Sequence, residues 1–387
     1  MAAQAHGELT YGVPATASRP WLDRGLDLRD RLLASPRFQR WATAFPVTRP
    51  IARRRAGDLF DLCAGFVYSQ VLLACVRLDL AEALRDGPQS VAVLARRLAL
   101  PEPAADRLLR AAVALRLAER RGEGRYGLGA LGAALAGNPA VSAMVEHHAM
   151  LYADLGDPVA LLRGERGAGA LAGYWPYAGA GQPDALGAGE VAPYSALMAA
   201  SQPMVAEEVL DAYAVRRHRC LLDVGGGDGA FLVAAARRAP DLRLILFDLP
   251  AVAERARARF EAAGIAHRAT AVGGSFLGDA LPEGADAVSL VRVLHDHDDE
   301  AALALLRAVR RVLPPEGRLI LAEPMAGTPG AERVGDAYFG FYLLAMGSGR
   351  PRTPGEIIQM LRAAGFGRTR LLRTRRPLLA CLIVARP

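Results

Sequence analysis

The sequence predicts a doubly wound α/β domain with an antiparallel edge hairpin, preceded by a helical segment of winged-helix pattern. Three observations carry this. Beyond about residue 200, apolar strands (CLLDV, LRLILFD, ATAVG, AVSLVRV, RLILAE) alternate with helical stretches, as in a parallel sheet covered on both faces. Two more runs, RLLRT and LLACLIVA, close the chain as a hairpin. The first strand runs into the glycine-rich turn GGGDG and then a helix, the opening of a Rossmann-like nucleotide-binding sheet.

The elements follow in chain order. Residues 1–55 form an arm rich in arginine, proline and tryptophan that ends in RPIARRR. Such a run is ordinarily a solvated face. Trp21 and Trp41 beside Arg49, Arg53, Arg54 and Arg55 also suit peripheral contact with an anionic membrane surface. Helical periodicity dominates residues 56–140. Their most apolar stretch, LCAGFVYSQVLLACV at 62–76, is shorter than the roughly 20 residues of a membrane span. Ser69 and Gln70 interrupt it, so it reads as a buried or interface helix. Ser90 can cap the next helix, Pro101 breaks the chain before another, and Gly122 and Gly124 turn it into a strand at Tyr126. DNA-binding regulators and enzyme dimerisation domains both use this winged-helix pattern. A DNA reader needs basic or polar side chains along its second helix. Here Arg107, Arg110 and Arg116 sit on a body of alanine and leucine, which favours packing on other helices.

Residues 141–200 form a helical linker expected to line the substrate. Their glycine- and alanine-rich part, about 164–192 with Trp175, suits a mobile connection over a cleft. Residues 201–387 hold the sheet.

Composition narrows the function classes. A chain of 387 residues that is 52% hydrophobic and 22% charged is not a disordered one. All 47 basic residues are arginine, and against 40 acidic ones they leave +7, too diffuse to argue for nucleic acid. Cys63, Cys75, Cys220 and Cys381 lie far apart, which excludes a disulfide scaffold or a thiolate zinc site and fits a reducing cytoplasm. No basic start followed by an apolar run marks a secretory signal in the first 20 residues.

Chemistry concentrates after the strands. In LLDVGGGDGAF, residues 221–231, the glycines admit close backbone approach to a ligand. Asp248 follows Gly229 by 19 positions at the end of the next strand, where a carboxylate can accept both ribose hydroxyls. GGGDGA also fits the nicotinamide-dinucleotide pattern. Acidic Asp228 inside the loop would repel a pyrophosphate but not a cationic sulfonium ligand, which favours S-adenosylmethionine. In VRVLHDHDDE, residues 291–300, His295 falls at the carboxyl end of the fourth strand and can serve as a general base. A metal cluster in HDHDD is disfavoured because adjacent side chains diverge, and Asp298 or Asp299 is expected to cap the helix that follows. Glu323, ending the neighbouring strand, is expected to orient the His295 ring.

Together the DVGGGDG loop, FDLP, LHDHDDE, RLILAE and LRAAGF resemble class I S-adenosylmethionine-dependent O-methyltransferases of the caffeate/hydroxyneurosporene type, from about residue 56 onward. The resemblance implies a homodimer built through the winged-helix segment, with no metal. It implies Asp248 on the ribose, Phe276 near the adenine, His295 as base and Glu323 as its partner. The remaining cofactor positions it implies are Asp223, Gly225, Gly227, Leu249, Ser275 and Arg292. Ser275 stands where the family usually has aspartate, and Arg350 or Pro351 where many members have a second glutamate beside the base. Residues 342–346, YLLAM, are apolar where phenol-methylating members bind their acceptors. FDLCAGFVYSQVLLACVRLDL, MVEHHAMLYADLGDPVALLRG and the RPRTP segment are most similar to the bacterial carotenoid branch, which methylates the terminal tertiary hydroxyl of an acyclic carotenoid. The branch acting on bacteriochlorophyllide is the alternative. An apolar acceptor fits both.

Overall fold

A computed structural model describes residues 20–165, 167, 169–174 and 188–387, with the backbone alone for 20 and 188–196. Trp175 and most of the glycine-rich connection expected over a cleft lie outside the described residues. The chain divides into two compact units, Met1–Leu72 and Leu73–Pro387.

The first unit contains helices α1 (Pro20–Ala34) and α2 (Pro36–Ala44) and most of α3 (Arg49–Arg77). Ser35 starts α2 by accepting the Phe38 N–H, with Pro36 supplying a preset φ at the first helical position. The apolar stretch 62–76 lies within α3, whose 29 residues are long and apolar enough, by length and composition, to cross a membrane. Only Leu73 and Cys75 of this helix are buried, while Leu62 and Phe66 are 75% and 72% exposed. The expectation of a buried helix is therefore corrected for the single chain. The same stretch remains available as an interface.

The second unit begins with the winged-helix segment. Strand β1 (Gln89–Ser90), helices α4 (Val91–Arg97) and α5 (Glu102–Ala114), and strands β2 (Ala118–Arg120) and β3 (Arg125–Leu128) form it, with sheet order β1-β3-β2. Ser90 accepts the Val93 N–H, and Pro101 directly precedes α5, as the sequence suggests. Helix α5 buries Ala105, Leu109 and Ala112, the small and apolar stripe of its alanine–leucine body. Helices α6 (Pro139–Asp154) and α7 (Ala188–Ala212) follow, and α7 runs through position 200 without a break.

The seven-stranded sheet is laid down as β4 (Cys220–Val224), α8 (Ala230–Arg238), β5 (Arg243–Asp248), α9 (Pro250–Ala262), β6 (Ala269–Gly273), β7 (Ala287–Val291), α10 (Asp299–Val312) and β8 (Arg318–Glu323). Helices α11 (Phe339–Met346) and α12 (Pro354–Ala363) precede the hairpin β9 (Arg368–Leu372) and β10 (Cys381–Arg386). The strand order is β6-β5-β4-β7-β8-β10-β9, with β10 antiparallel to both its neighbours.

Every side chain of β4 and β7 is buried, as in a central strand covered on both faces. Alternation assigns Leu222 and Val224 to the core under α10 and α12, and Leu221 to the core under α7, α8 and α9. Register aligns Asp223 with Ser289, Asp248 with Gly273, and Val291 with Ala322. The chemically distinctive residues thereby collect along one edge, at the carboxyl ends of the strands. Ligands bind there in such sheets.

Candidate active site at the carboxyl edge of the sheet

The cleft begins where β4 stops. Gly227 (φ 60°) and Gly229 (φ 82°) adopt left-handed conformations, and a Cβ on Gly229 would lie 2.5 Å from the Phe260 ring. Nothing stands within 4 Å of a Cβ built on Gly227, so that part of the loop is open to a ligand. Asp248 latches the loop: one carboxylate oxygen accepts the Gly227 N–H and the other the Leu249 N–H, each at 2.8 Å. Each oxygen keeps a second lone pair for a ligand hydroxyl. Burial pushes the Asp248 carboxyl up to about 6.

Asp223 is buried beside it. Its Oδ1 accepts the Ser289 hydroxyl at 2.5 Å, while Oδ2 has no partner among the described residues. Burial pushes its carboxyl up to about 7. An orphaned carboxylate oxygen in a cleft is a seat for a cation or hydrogen-bond donor. Asp228 does not play the part expected of it, because its carboxylate is paired with the Arg259 guanidinium. The carboxylate oxygen left without a partner in the cleft is that of Asp223.

The same cleft is walled by Leu249, Ser275, Phe276 and Arg292, so all eight predicted cofactor positions line it. Ser275 donates its backbone N–H to Asp279 at 2.8 Å, and Phe276 meets the His297 ring edge-on at 5.1 Å. Arg292 holds a left-handed φ of 57°, a strained conformation for a non-glycine residue. Its guanidinium donates to Ser201 Oγ at 2.7 Å, Gln202 Oε1 at 2.6 Å and the Met198 carbonyl at 3.1 Å. It thus fastens α7 at the cleft, where Met198 and Gln202 join the wall. Neither those two nor His297 was visible as a site residue in the sequence.

His295 lies in the single 3₁₀ turn after β7, buried. Glu323 does not orient its ring, contrary to expectation. The carboxylate at the end of β8 reaches the turn's backbone and accepts the His295 N–H at 3.1 Å. The carboxylate that meets the ring is Asp296, whose Oδ1 is 3.2 Å from Nε2. Nδ1 has no partner among the described residues. Burial, reinforced by Arg292, Arg352 and His297, drives the imidazole down to about 3, so it is neutral at physiological pH. Burial pushes Glu323 up to about 7, and burial together with the Glu323 carboxylate pushes Asp296 well above its ordinary value.

The segment after α11 fixes this turn from the other side. Gly349 (φ 77°) passes so close that a Cβ would lie 2.1 Å from the His295 carbonyl. Arg352, fully buried, donates to the carbonyls of Leu294 and His297 and to Asp299. Asp298 holds the cap position of α10 but makes no side-chain cap; it accepts the Gly349 N–H instead. The adjacent side chains of His295 and Asp296, expected to diverge, instead meet at 3.2 Å. Among the described residues no group of three His, Cys, Asp or Glu is placed to hold a metal ion.

Beyond His295 lies a second, largely apolar region. The His295 ring packs at 5.4 Å from Phe339, which adjoins Tyr342, Leu343 and Met346 of α11 and Leu151 of α6. Two tyrosine hydroxyls interrupt it. Tyr342 is hydrogen-bonded to His147 Nε2 and Tyr338 to His148 Nε2, both at 2.8 Å. The partners in each pair are 195 and 190 residues apart, so only the fold unites them.

With this geometry in hand, the similarities to known proteins are specific. Residues 152–367 match the O-methyltransferase domain family and residues 60–138 the O-methyltransferase dimerisation domain. The chain is 46% identical to demethylspheroidene O-methyltransferase of Cereibacter sphaeroides, over 96% of this chain and 98% of that one. It is 42% identical to the Rhodobacter capsulatus enzyme of the same name, over 92% and 88% of the two chains. Among solved structures, a calicheamicin-biosynthesis methyltransferase, CalO1, in its S-adenosylhomocysteine-bound form is 28% identical with a TM-score of 0.71, covering 86% of this chain and 98% of that one.

Proposed function

The chain belongs to the O-methyltransferase family that carries an N-terminal dimerisation domain, and on that premise we propose that its acceptor is an acyclic carotenoid, methylated at a terminal tertiary hydroxyl. As a member it is an S-adenosylmethionine-dependent enzyme, a homodimer, and it acts on a small molecule. The observation that carries the acceptor reading is near-full-length identity to two demethylspheroidene O-methyltransferases. The apolar surroundings of Phe339 and Met346 support it. A bacteriochlorophyllide or another apolar small molecule is the alternative.

S-adenosylmethionine supplies an electrophilic methyl group on a sulfonium sulfur. Asp223, whose Oδ2 is orphaned, is assigned to its cationic end and Asp248 to the ribose hydroxyls. The open backbone at Gly227, with Gly225 beside it in the loop, admits the ligand, Phe276 flanks the adenine, and Leu249, Ser275 and Arg292 complete the enclosure. His295 is the general base. In the tautomer that donates Nε2–H to Asp296, Nδ1 is bare and would take the proton of the acceptor hydroxyl as that oxygen gains the methyl group. Asp296 then faces the imidazolium. Glu323 acts through the backbone, holding the His295 N–H and with it the turn.

A tertiary alcohol is too weak an acid for His295 to prepare an alkoxide. Most of the acceleration comes from positioning, for which effective molarity supplies up to about 7–11 kcal/mol. The enzyme is placed in the cytoplasm, collecting its acceptor at a membrane surface through the arginine- and tryptophan-bearing arm. Expression in a host that accumulates a hydroxylated acyclic carotenoid tests the reading. Chromatography is expected to show the methyl ether replacing the alcohol. An unchanged pigment profile with folded, cofactor-binding protein would refute it.

A further inference from the structure

The His147–Tyr342 pair is not absorbed by the cofactor cleft or by the base. It sits one aromatic ring beyond His295: Phe339 stands 5.4 Å from the His295 ring and 6.1 Å from the Tyr342 ring. Both members are buried. Burial, with His148 adding to it, pulls His147 down to about 4, and burial raises the Tyr342 hydroxyl above its ordinary value. Both are neutral at physiological pH. The pair therefore offers hydrogen bonds without charge, inside walls of Leu151, Leu171 and Met346.

Its hydrogen-bonding capacity is incomplete. A neutral imidazole carries one N–H and one bare nitrogen, and a phenol one O–H. His147 Nε2 and the Tyr342 hydroxyl use each other, while His147 Nδ1 is buried with no partner among the described residues. If Tyr342 donates to Nε2, Nδ1–H is left as an unused donor. If Nε2–H donates to Tyr342, the phenol proton is free and Nδ1 is a bare acceptor. Either tautomer presents an unmet hydrogen bond in an apolar setting, which is costly unless something polar arrives. A hydroxyl satisfies both tautomers because it donates and accepts. A carboxylate or phosphate would find no charged partner in the dyad itself.

We propose that His147 and Tyr342 form a recognition dyad that binds the uncharged hydroxyl of an apolar acceptor and delivers it beside His295. They are positioning residues that distinguish a hydroxylated ligand from a hydrocarbon of the same shape. The turn that carries Tyr338 up to Phe339 is a π-helical one, Arg333–Tyr338, and it sets the α11 rings opposite the two histidines of α6. The inference rests on the O-methyltransferase reading above.

The test measures binding as well as turnover. Kd is determined for an acyclic carotenoid with a terminal tertiary hydroxyl and for its hydrocarbon counterpart, both in detergent micelles with saturating S-adenosylhomocysteine. Wild-type dimer is expected to prefer the alcohol by about tenfold, the worth of roughly one buried hydrogen bond. Tyr342→Phe and His147→Leu are expected to abolish that preference and raise the acceptor KM by about tenfold while leaving cofactor Kd unchanged. His147→Gln, which restores a donor and an acceptor, is expected to recover part of it. Intact cofactor binding certifies the fold of each variant. A preference for the alcohol that survives in both Tyr342→Phe and His147→Leu would overturn the dyad. Failure of wild-type protein to methylate the alcohol, with the preference present and lost in Tyr342→Phe, would instead count against the carotenoid reading and leave the dyad standing.

Discussion

Asp223 and Asp248 share one cleft, and burial holds both carboxyls above their ordinary range, at about 7 and about 6. A cationic ligand stabilises their ionised forms. In the ligand-free protein these forms are lost as pH falls through those values, so affinity for S-adenosylmethionine is expected to rise between pH 5 and pH 7 and level off above. Calorimetry should record a gain of at least about tenfold over that range. Asp223→Asn should flatten the profile, and a flat profile in wild-type protein would contradict the assignment. Asp248→Ala removes the Gly227 latch together with a charged acceptor, each such bond being worth about 1.5–3 kcal/mol, and should weaken binding at every pH. His295→Ala should lower kcat by about 10²–10⁴-fold with cofactor affinity nearly unchanged, and Glu323→Gln by less. Wild-type turnover in His295→Ala at saturating acceptor would make it a structural histidine. At this scale the sequence was legible where a residue's place follows from strand ends, as for Asp223, Asp248 and His295. It was not legible for Asp296 at the imidazole ring or for His147, whose roles depend on side-chain direction and on partners far along the chain.

The element that holds the His295 turn from its far side is the segment Gly349 to Thr353. Glycine, proline and arginine in GRPRT look like an ordinary exposed loop, yet Arg352 is fully buried and Gly349 touches the His295 carbonyl. The segment ends in a capping box, Thr353 with Glu356, that starts α12 and fixes where Arg352 points. Arg352→Met strips donors from the Leu294 and His297 carbonyls, at about 1–3 kcal/mol for each group left unsatisfied. A stability loss of about 3 kcal/mol in urea unfolding is expected, with a drop in kcat. Stability and rate both unchanged would show that the turn is held by Glu323 alone. Strands and caps were readable because period and cap chemistry are local: Ser90 caps α4 as its type suggests. Asp298 misled because its oxygen had a better use, the Gly349 N–H, which only the tertiary structure supplies.

For the whole molecule, exposed Phe60, Leu62, Phe66 and Val67 of α3 belong to the stretch matched by the dimerisation domain. Phe66→Glu places a charge on that face and is expected to yield monomers by light scattering; an unchanged dimer would put the interface elsewhere. The arm combines exposed Trp21 and Trp41 with Arg49, Arg53, Arg54 and Arg55, each cation worth about 1 kcal/mol near anionic lipid. Full-length protein should float with anionic vesicles at low salt and cease to do so in high salt or without residues 1–55. Failure to float at low salt would end the surface-docking idea. The mostly parallel sheet with its antiparallel edge hairpin was legible from alternating strands and helices. That α3 is uncovered in one chain was not, because a helix made for a partner has the same composition as a helix made for a core.

The identity of the methylated atom separates a carotenoid acceptor from its rival most directly. Purified dimer should be given S-adenosylmethionine labelled in its methyl group, together with a hydroxylated acyclic carotenoid and a bacteriochlorophyllide in competition. Label is expected on the terminal oxygen of the carotenoid as a methyl ether, with S-adenosylhomocysteine formed in equal amount. Label on a chlorophyllide carbon, or cofactor binding with no transfer to the carotenoid, would contradict it.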